Sequence, residues 1–196
     1  MRRGFIVAAV VISILVTALP AHAVTQVTIQ DFSFTPASLK VAQGTSVVWH
    51  YDISGSTHHT STQNAPLVLW DTGNLTPGQT SAAVPVQAAG TYPYHCAVHP
   101  SMTGKVVVPL LIAPMSGTTA TTFTLTLAAA SQTGFTFDIQ KKVGTNAWKT
   151  WKTGVTGLTV TFKPATTGTF LFRSRLHKTA NGATSGYSPI KALTVS

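Results

Sequence analysis

The chain has 196 residues, 9% of them charged, and a mean hydropathy of +0.25. This excludes a highly charged, solvated disordered chain, and the dominance of Thr, Ser, Gly, Val and Ala excludes a helical bundle in favour of short strands. The single cysteine excludes an intrachain disulfide, and the formal net charge of +9 is unevenly distributed.

In chain order, Arg2 and Arg3 precede an apolar run from Phe5 to Leu19, followed by Ala21-His22-Ala23. A basic start, a short apolar stretch and a small-x-small site predict a secretory signal peptide over residues 1–23. The run is shorter than the roughly 20 residues that span a bilayer, although an uncleaved N-terminal anchor is the alternative. The expected location is secreted, periplasmic or at the cell surface. A lone cysteine in an exported chain is a free thiol, an intermolecular bridge or a metal ligand.

Residues 24–108 carry short alternating runs: Val27-Thr28-Ile29, Ser46-Val47-Val48-Trp49 and Lys105-Val106-Val107-Val108. Pro36, Gly44, Gly55, Gly73, Pro77-Gly78 and Gly90 punctuate them. The spacing predicts an antiparallel sandwich or Greek-key barrel. Residues 109–117, with Pro109, Pro114 and Gly117, predict a stiff linker, lightly packed on a domain at most. Residues 118–196 then alternate again, at Phe123–Leu127, Phe135–Ile139, Leu158–Phe162, Phe170–Leu176 and Ala192–Val195. The fold class expected is all-β, with two successive β-sandwiches. Residues 24–108 hold two Lys and three Asp, a net of −1, while residues 117–196 hold seven Lys, two Arg and one Asp, a net of +8. The basic character therefore belongs to the second unit. It is either an ordinary soluble surface or attracts an anionic cell wall or membrane. No basic block exceeds Lys141-Lys142, so nucleic acid is not expected as a partner.

The chemistry is concentrated in Gly90-Thr91-Tyr92-Pro93-Tyr94-His95-Cys96-Ala97-Val98-His99-Pro100-Ser101-Met102. Cys96, His99 and Met102 bring a thiolate, an imidazole and a thioether within seven residues. Soft sulfur donors select Cu(I), and imidazole also suits Cu(II). One Cys and two His in a plane with a long axial Met is the electron-transfer copper pattern. His58-His59-Thr60 supplies the remaining imidazole. Neighbouring side chains on an extended strand face opposite ways, so one of the two histidines faces the site. Met is a poor zinc ligand. A multicopper oxidase needs further ligands, usually as His-x-His pairs, and the sequence contains none.

These residues resemble the cupredoxin family of small blue-copper proteins, within it the amicyanin and plastocyanin group. The likeness runs over Val24–Val108. It includes Val27-Thr28-Ile29-Gln30-Asp31-Phe32-Ser33-Phe34-Thr35-Pro36, Val41-Ala42-Gln43-Gly44-Thr45-Ser46-Val47-Val48-Trp49, Trp70-Asp71-Thr72-Gly73, Pro77-Gly78-Gln79-Thr80 and the short Cys-x-x-His-x-x-Met loop. The resemblance implies a Greek-key sandwich holding one copper ion, Cu(I)/Cu(II), on His59, Cys96, His99 and Met102. It also implies single-electron transfer without catalysis, and a redox partner docking near His99 with Pro100 and Ala97 around it. The Asn that often precedes the first His in this family is missing from Asp52–Thr57. The alternatives are a copper carrier or sequestering protein without redox traffic, and a cell-surface adhesion module.

Elsewhere, His95 is expected to point away from the site, and Tyr94, Trp49 and Trp70 to pack in the core. His50 and His177 have no assigned partners. In the second unit, Phe135–Gln140, Trp148-Lys149-Thr150-Trp151, Phe170–Arg175 and Tyr187-Ser188-Pro189 resemble a fibronectin type III-like or immunoglobulin-like sandwich. Such domains serve as spacers or binding modules, and fold alone assigns neither role.

Overall fold

The computed structural model describes residues 24–196; the expected signal peptide, residues 1–23, lies outside the described residues. The described residues form strands and no α-helix. In the first half these are β1 (Val24–Gln30), β2 (Ser33–Thr35), β3 (Ser38–Lys40), β4 (Thr45–Tyr51), β5 (Thr62–Gln63), β6 (Val84–Val86), β7 (Gly90–His95) and β8 (Thr103–Val108). In the second half they are β9 (Leu111–Ala113), β10 (Ser116–Gly117), β11 (Phe123–Thr126), β12 (Phe135–Val143), β13 (Lys149–Val155), β14 (Thr159–Phe162), β15 (Gly168–Lys178) and β16 (Lys191–Val195).

The first half stacks two four-stranded sheets, ordered β2-β1-β4-β6 and β3-β8-β7-β5. The period-2 pattern explains the layering. Along β4, Thr45, Val47, Trp49 and Tyr51 are buried, and the residues between them are half-buried. On β7, Tyr92 and Tyr94 face the same core. Trp49 and Trp70 stack at 5.4 Å, and Tyr94 meets Trp49 edge-on at 5.5 Å, so all three pack in the core as expected. Burial of each such side chain contributes about 1.5–3 kcal/mol. The pairing is not wholly antiparallel: β1 runs parallel to β4, and β3 parallel to β8. Alternation reports which face is buried but not strand direction, which depends on the connections.

The second half is also a sandwich, of sheets β14-β11-β9 and β10-β16-β15-β12-β13. Residues 109–117 are not a free linker. Leu111–Ala113 pairs with β11, Ser116–Gly117 pairs with β16, and Leu110 and Ile112 are buried. Pro109 and Pro114 flank these strands, and both strands sit at sheet edges, where a missing N–H costs no ladder bond.

Backbone hydrogen bonds join the two sandwiches. Thr91 and Gly186 exchange both bonds at 2.9 Å, Ala89 N–H donates to the Leu127 carbonyl, and Ala129 N–H donates to the Gln87 carbonyl. The Gln43 amide donates to the Pro109 and Thr126 carbonyls.

Candidate metal centre

Cys96 follows directly on β7, and Met102 directly precedes β8. The loop between them is closed by three backbone bonds. His99 N–H donates to the Cys96 carbonyl (3.2 Å), Met102 N–H to the His99 carbonyl (2.9 Å), and Cys96 N–H to the Met102 carbonyl (3.0 Å). A seven-residue stretch is thereby folded so that the Cys96 and His99 side chains meet and the Met102 backbone is held beside that of Cys96. Cys96 and Met102 are buried, and His99 is half-buried.

His59 comes from the long β4–β5 connection. Its backbone pairs with Leu75 through bonds of 3.1 and 2.8 Å, which turns the imidazole inward and fully buries it. His58 is exposed. The Cys96 Sγ lies 3.6 Å from His59 Nδ1 and 3.7 Å from His99 Nδ1, and the two Nδ1 atoms are 3.1 Å apart. The point equidistant from the three atoms is about 2.0 Å from each, by the circumradius of that triangle. Metal–imidazole bonds of about 2.0–2.1 Å match that spacing, and metal–thiolate bonds of about 2.3 Å run slightly longer than it. One ion fits; no rearrangement of the three donors is needed.

The surroundings hold these donors in place. Thr60 N–H donates to Cys96 Sγ at 3.3 Å, and the Thr60 hydroxyl accepts from Ala97 N–H at 2.8 Å. These two bonds clip the His59 loop to the Cys96 loop. The sequence signal of this clip is the Thr directly after His59. Burial pushes the His59 imidazole pKa down, partly offset by Asp31, whose Oδ1 lies 3.4 Å from His59 Nε2. A neutral imidazole is the form that binds metal. The hydroxyl of Ser56, then that of Tyr51, hold the Asp31 carboxyl well below the usual carboxylate range.

Phe32 occupies the β1–β2 turn with φ of 65° and is 63% exposed. Its ring meets His99 edge-on at 4.9 Å and His59 at 5.7 Å. Together with Val98, 39% exposed, and the exposed Pro100 and Ala97, it makes the outer face of the site apolar. Sequence reasoning missed Phe32, Tyr51 and Asp31 as members of the site. The other histidines among the described residues lie elsewhere. His95 Nδ1 pairs with Asn64 Oδ1 at 2.7 Å, His50 with the Thr80 hydroxyl at 2.8 Å, and His177 with Asp138 at 3.4 Å.

A β-sandwich that brings a buried cysteine sulfur and two imidazoles to one-ion spacing has the donor set of a soft-metal site. Residues 4–108, more than half the chain, match the family model of the cupredoxin-like domain, and the chain belongs to that family. Among solved structures, it is similar to a reduced Cu(I) form of an amicyanin mutant at pH 4, with 28% identity over 47% of this chain and 86% of that one, at a TM-score of 0.38. It is also similar to amicyanin from Paracoccus versutus, with 26% identity over 46% of this chain and 84% of that one, at a TM-score of 0.36. Comparison with curated protein sequences yields no match.

Proposed function

We propose that this protein carries single electrons through one copper ion held by His59, Cys96, His99 and Met102. The observation that carries the reading is the convergence of Cys96 Sγ and both Nδ1 atoms on one point about 2.0 Å away. Copper, when bound, supplies the Cu(II)/Cu(I) couple. The mixed donor set suits both states: sulfur favours Cu(I), and imidazole accepts either.

The protein's own part is to keep the donors still. The Thr60 clip and the backbone bonds among Cys96, His99 and Met102 fix the loop, so a change of charge calls for little movement. Cys96, His59 and Met102 are shielded from water. His99 is the ligand that reaches the surface, and it does so within the apolar ring of Phe32, Val98 and Pro100. A redox partner docks there through a small apolar contact, in the manner of weak electron-transfer encounters.

A copper carrier would use the same donors but must release its cargo. Redox cycling separates the two readings. Protein loaded with one equivalent of Cu(II) is reduced with ascorbate and reoxidised repeatedly beside a Cu(I) chelator. An electron carrier keeps its copper and regains its Cu(II) signal in every cycle. Transfer of the copper to the chelator on first reduction overturns the electron-transfer reading in favour of a carrier.

A further inference from the structure

His59 turns Nδ1 toward the Cys96 sulfur and therefore Nε2 the other way, toward Asp31 Oδ1 at 3.4 Å. Asp31 is not a stray surface acid. Ser56 donates to its Oδ2 from the hydroxyl at 2.6 Å and from the backbone N–H at 3.1 Å. The Tyr51 hydroxyl donates to its Oδ1. Tyr51 is itself fully buried, and its ring meets the His59 ring edge-on at 5.0 Å. Gly55 makes this approach possible, because a Cβ there would lie 2.3 Å from Tyr51 Cε2. A strand that supplies Tyr51 and a loop that supplies Ser56 thus converge on the Asp31 carboxylate, and that carboxylate alone faces the outer nitrogen of the imidazole.

We propose that Asp31 is a positioning residue for the copper site: its carboxylate keeps the His59 proton on Nε2, leaves the Nδ1 lone pair facing the metal, and favours Cu(II) over Cu(I). The inference rests on the copper reading above. Its physics is general. A metal-binding imidazole whose other N–H is held by a carboxylate is fixed in tautomer and orientation and is a stronger donor. The negative charge lies on the ligand's far side, where it favours the more highly charged ion. Asp31 is 28% exposed, so solvent weakens this effect without removing it.

Two substitutions separate position from charge. Asp31→Asn keeps an oxygen acceptor and loses the charge. The His59 tautomer in the metal-free protein, read by long-range 1H–15N NMR, stays Nε2–H. The Cu(II)/Cu(I) equilibrium shifts about tenfold toward Cu(I), a rise of about 59 mV for one electron. Asp31→Ala loses both functions. The tautomers mix, and Cu(II) affinity falls about 10–100-fold. Asp52→Asn, an acid whose carboxylate binds Ser54 instead, changes neither quantity. A pure Nε2–H tautomer in Asp31→Ala, with Cu(II) affinity and the Cu(II)/Cu(I) balance within twofold of wild type, overturns the proposal. If the unaltered protein and Asp52→Asn show no thiolate-bound Cu(II), it is the copper reading that fails. The metal-free tautomer still decides the positioning role of Asp31.

Discussion

Single residues set the site's chemistry, and their legibility in the sequence varied with the length of chain between partners. Cys96 and His99 were legible because a tight loop brings their side chains together, so sequence spacing stands in for spatial spacing. His59 was ambiguous beside His58 until the Leu75 pairing showed which imidazole turns inward. Asp31 was illegible as a site residue. Its contact with His59 spans 28 residues and depends on how the β1–β2 turn settles on a distant loop. Tyr92 gives a residue-level test of the core beneath the site. Its hydroxyl donates to the Ala88 carbonyl at 2.7 Å, and burial pushes its pKa above the ordinary value. The unfolded value is about 10, so the hydroxyl's stabilisation is whole below pH 10 and is lost as pH climbs toward the raised folded value. Tyr92→Phe should cost about 1 kcal/mol at pH 8. That deficit should shrink, then reverse, in denaturant melts above pH 10. A constant deficit from pH 8 to 11 would show that the hydroxyl ionises as freely in the folded protein.

At the scale of strands, the alternation in β4, β11 and β15 was legible because a half-buried strand must place apolar residues at every second position. The edge strands β9 and β10 were not. They are two or three residues long and flanked by proline, which resembles a linker until the neighbouring strands are known. Strand pairing also explains Gly104. It stands opposite Tyr94 across the β7–β8 ladder, and a Cβ there would lie 2.4 Å from the Tyr94 ring. That ring is wedged among Phe34, Trp49 and Trp70. Gly104→Ala should therefore force the ring out of its place and destabilise the fold by about 1–3 kcal/mol, the usual range for overpacking. Because Met102 is two residues away, copper affinity should fall as well. Urea melts unchanged by the substitution would show that Tyr94 moves aside freely.

Across the whole molecule, the joint between the sandwiches lies away from the surface-facing ligand. Thr91 makes the joint at one end of β7, and Cys96 follows the other end. Five residue-to-residue steps of extended strand separate them, about 17 Å. The second sandwich also reaches Leu67 through Lys178 and Pro66 through Asn181. Among the described residues, the hydrogen bonds that join the sandwiches involve none of Phe32, Val98 and His99. The apolar face over the ligands is thus left open while the basic half is anchored elsewhere. The division into two units was visible in the charge count, whereas the joint was not, because each of its hydrogen bonds has a backbone group on at least one side, and such groups carry no sequence signature. Electron transfer by this protein requires the Cys96 sulfur to bind copper beside two imidazoles. The most direct measurement is the visible spectrum of the Cu(II)-loaded protein, recorded beside Cys96→Ala. We predict an intense thiolate-to-copper charge-transfer band that a mild reductant bleaches reversibly and that Cys96→Ala abolishes. A weak spectrum, unchanged by the substitution, would contradict the account.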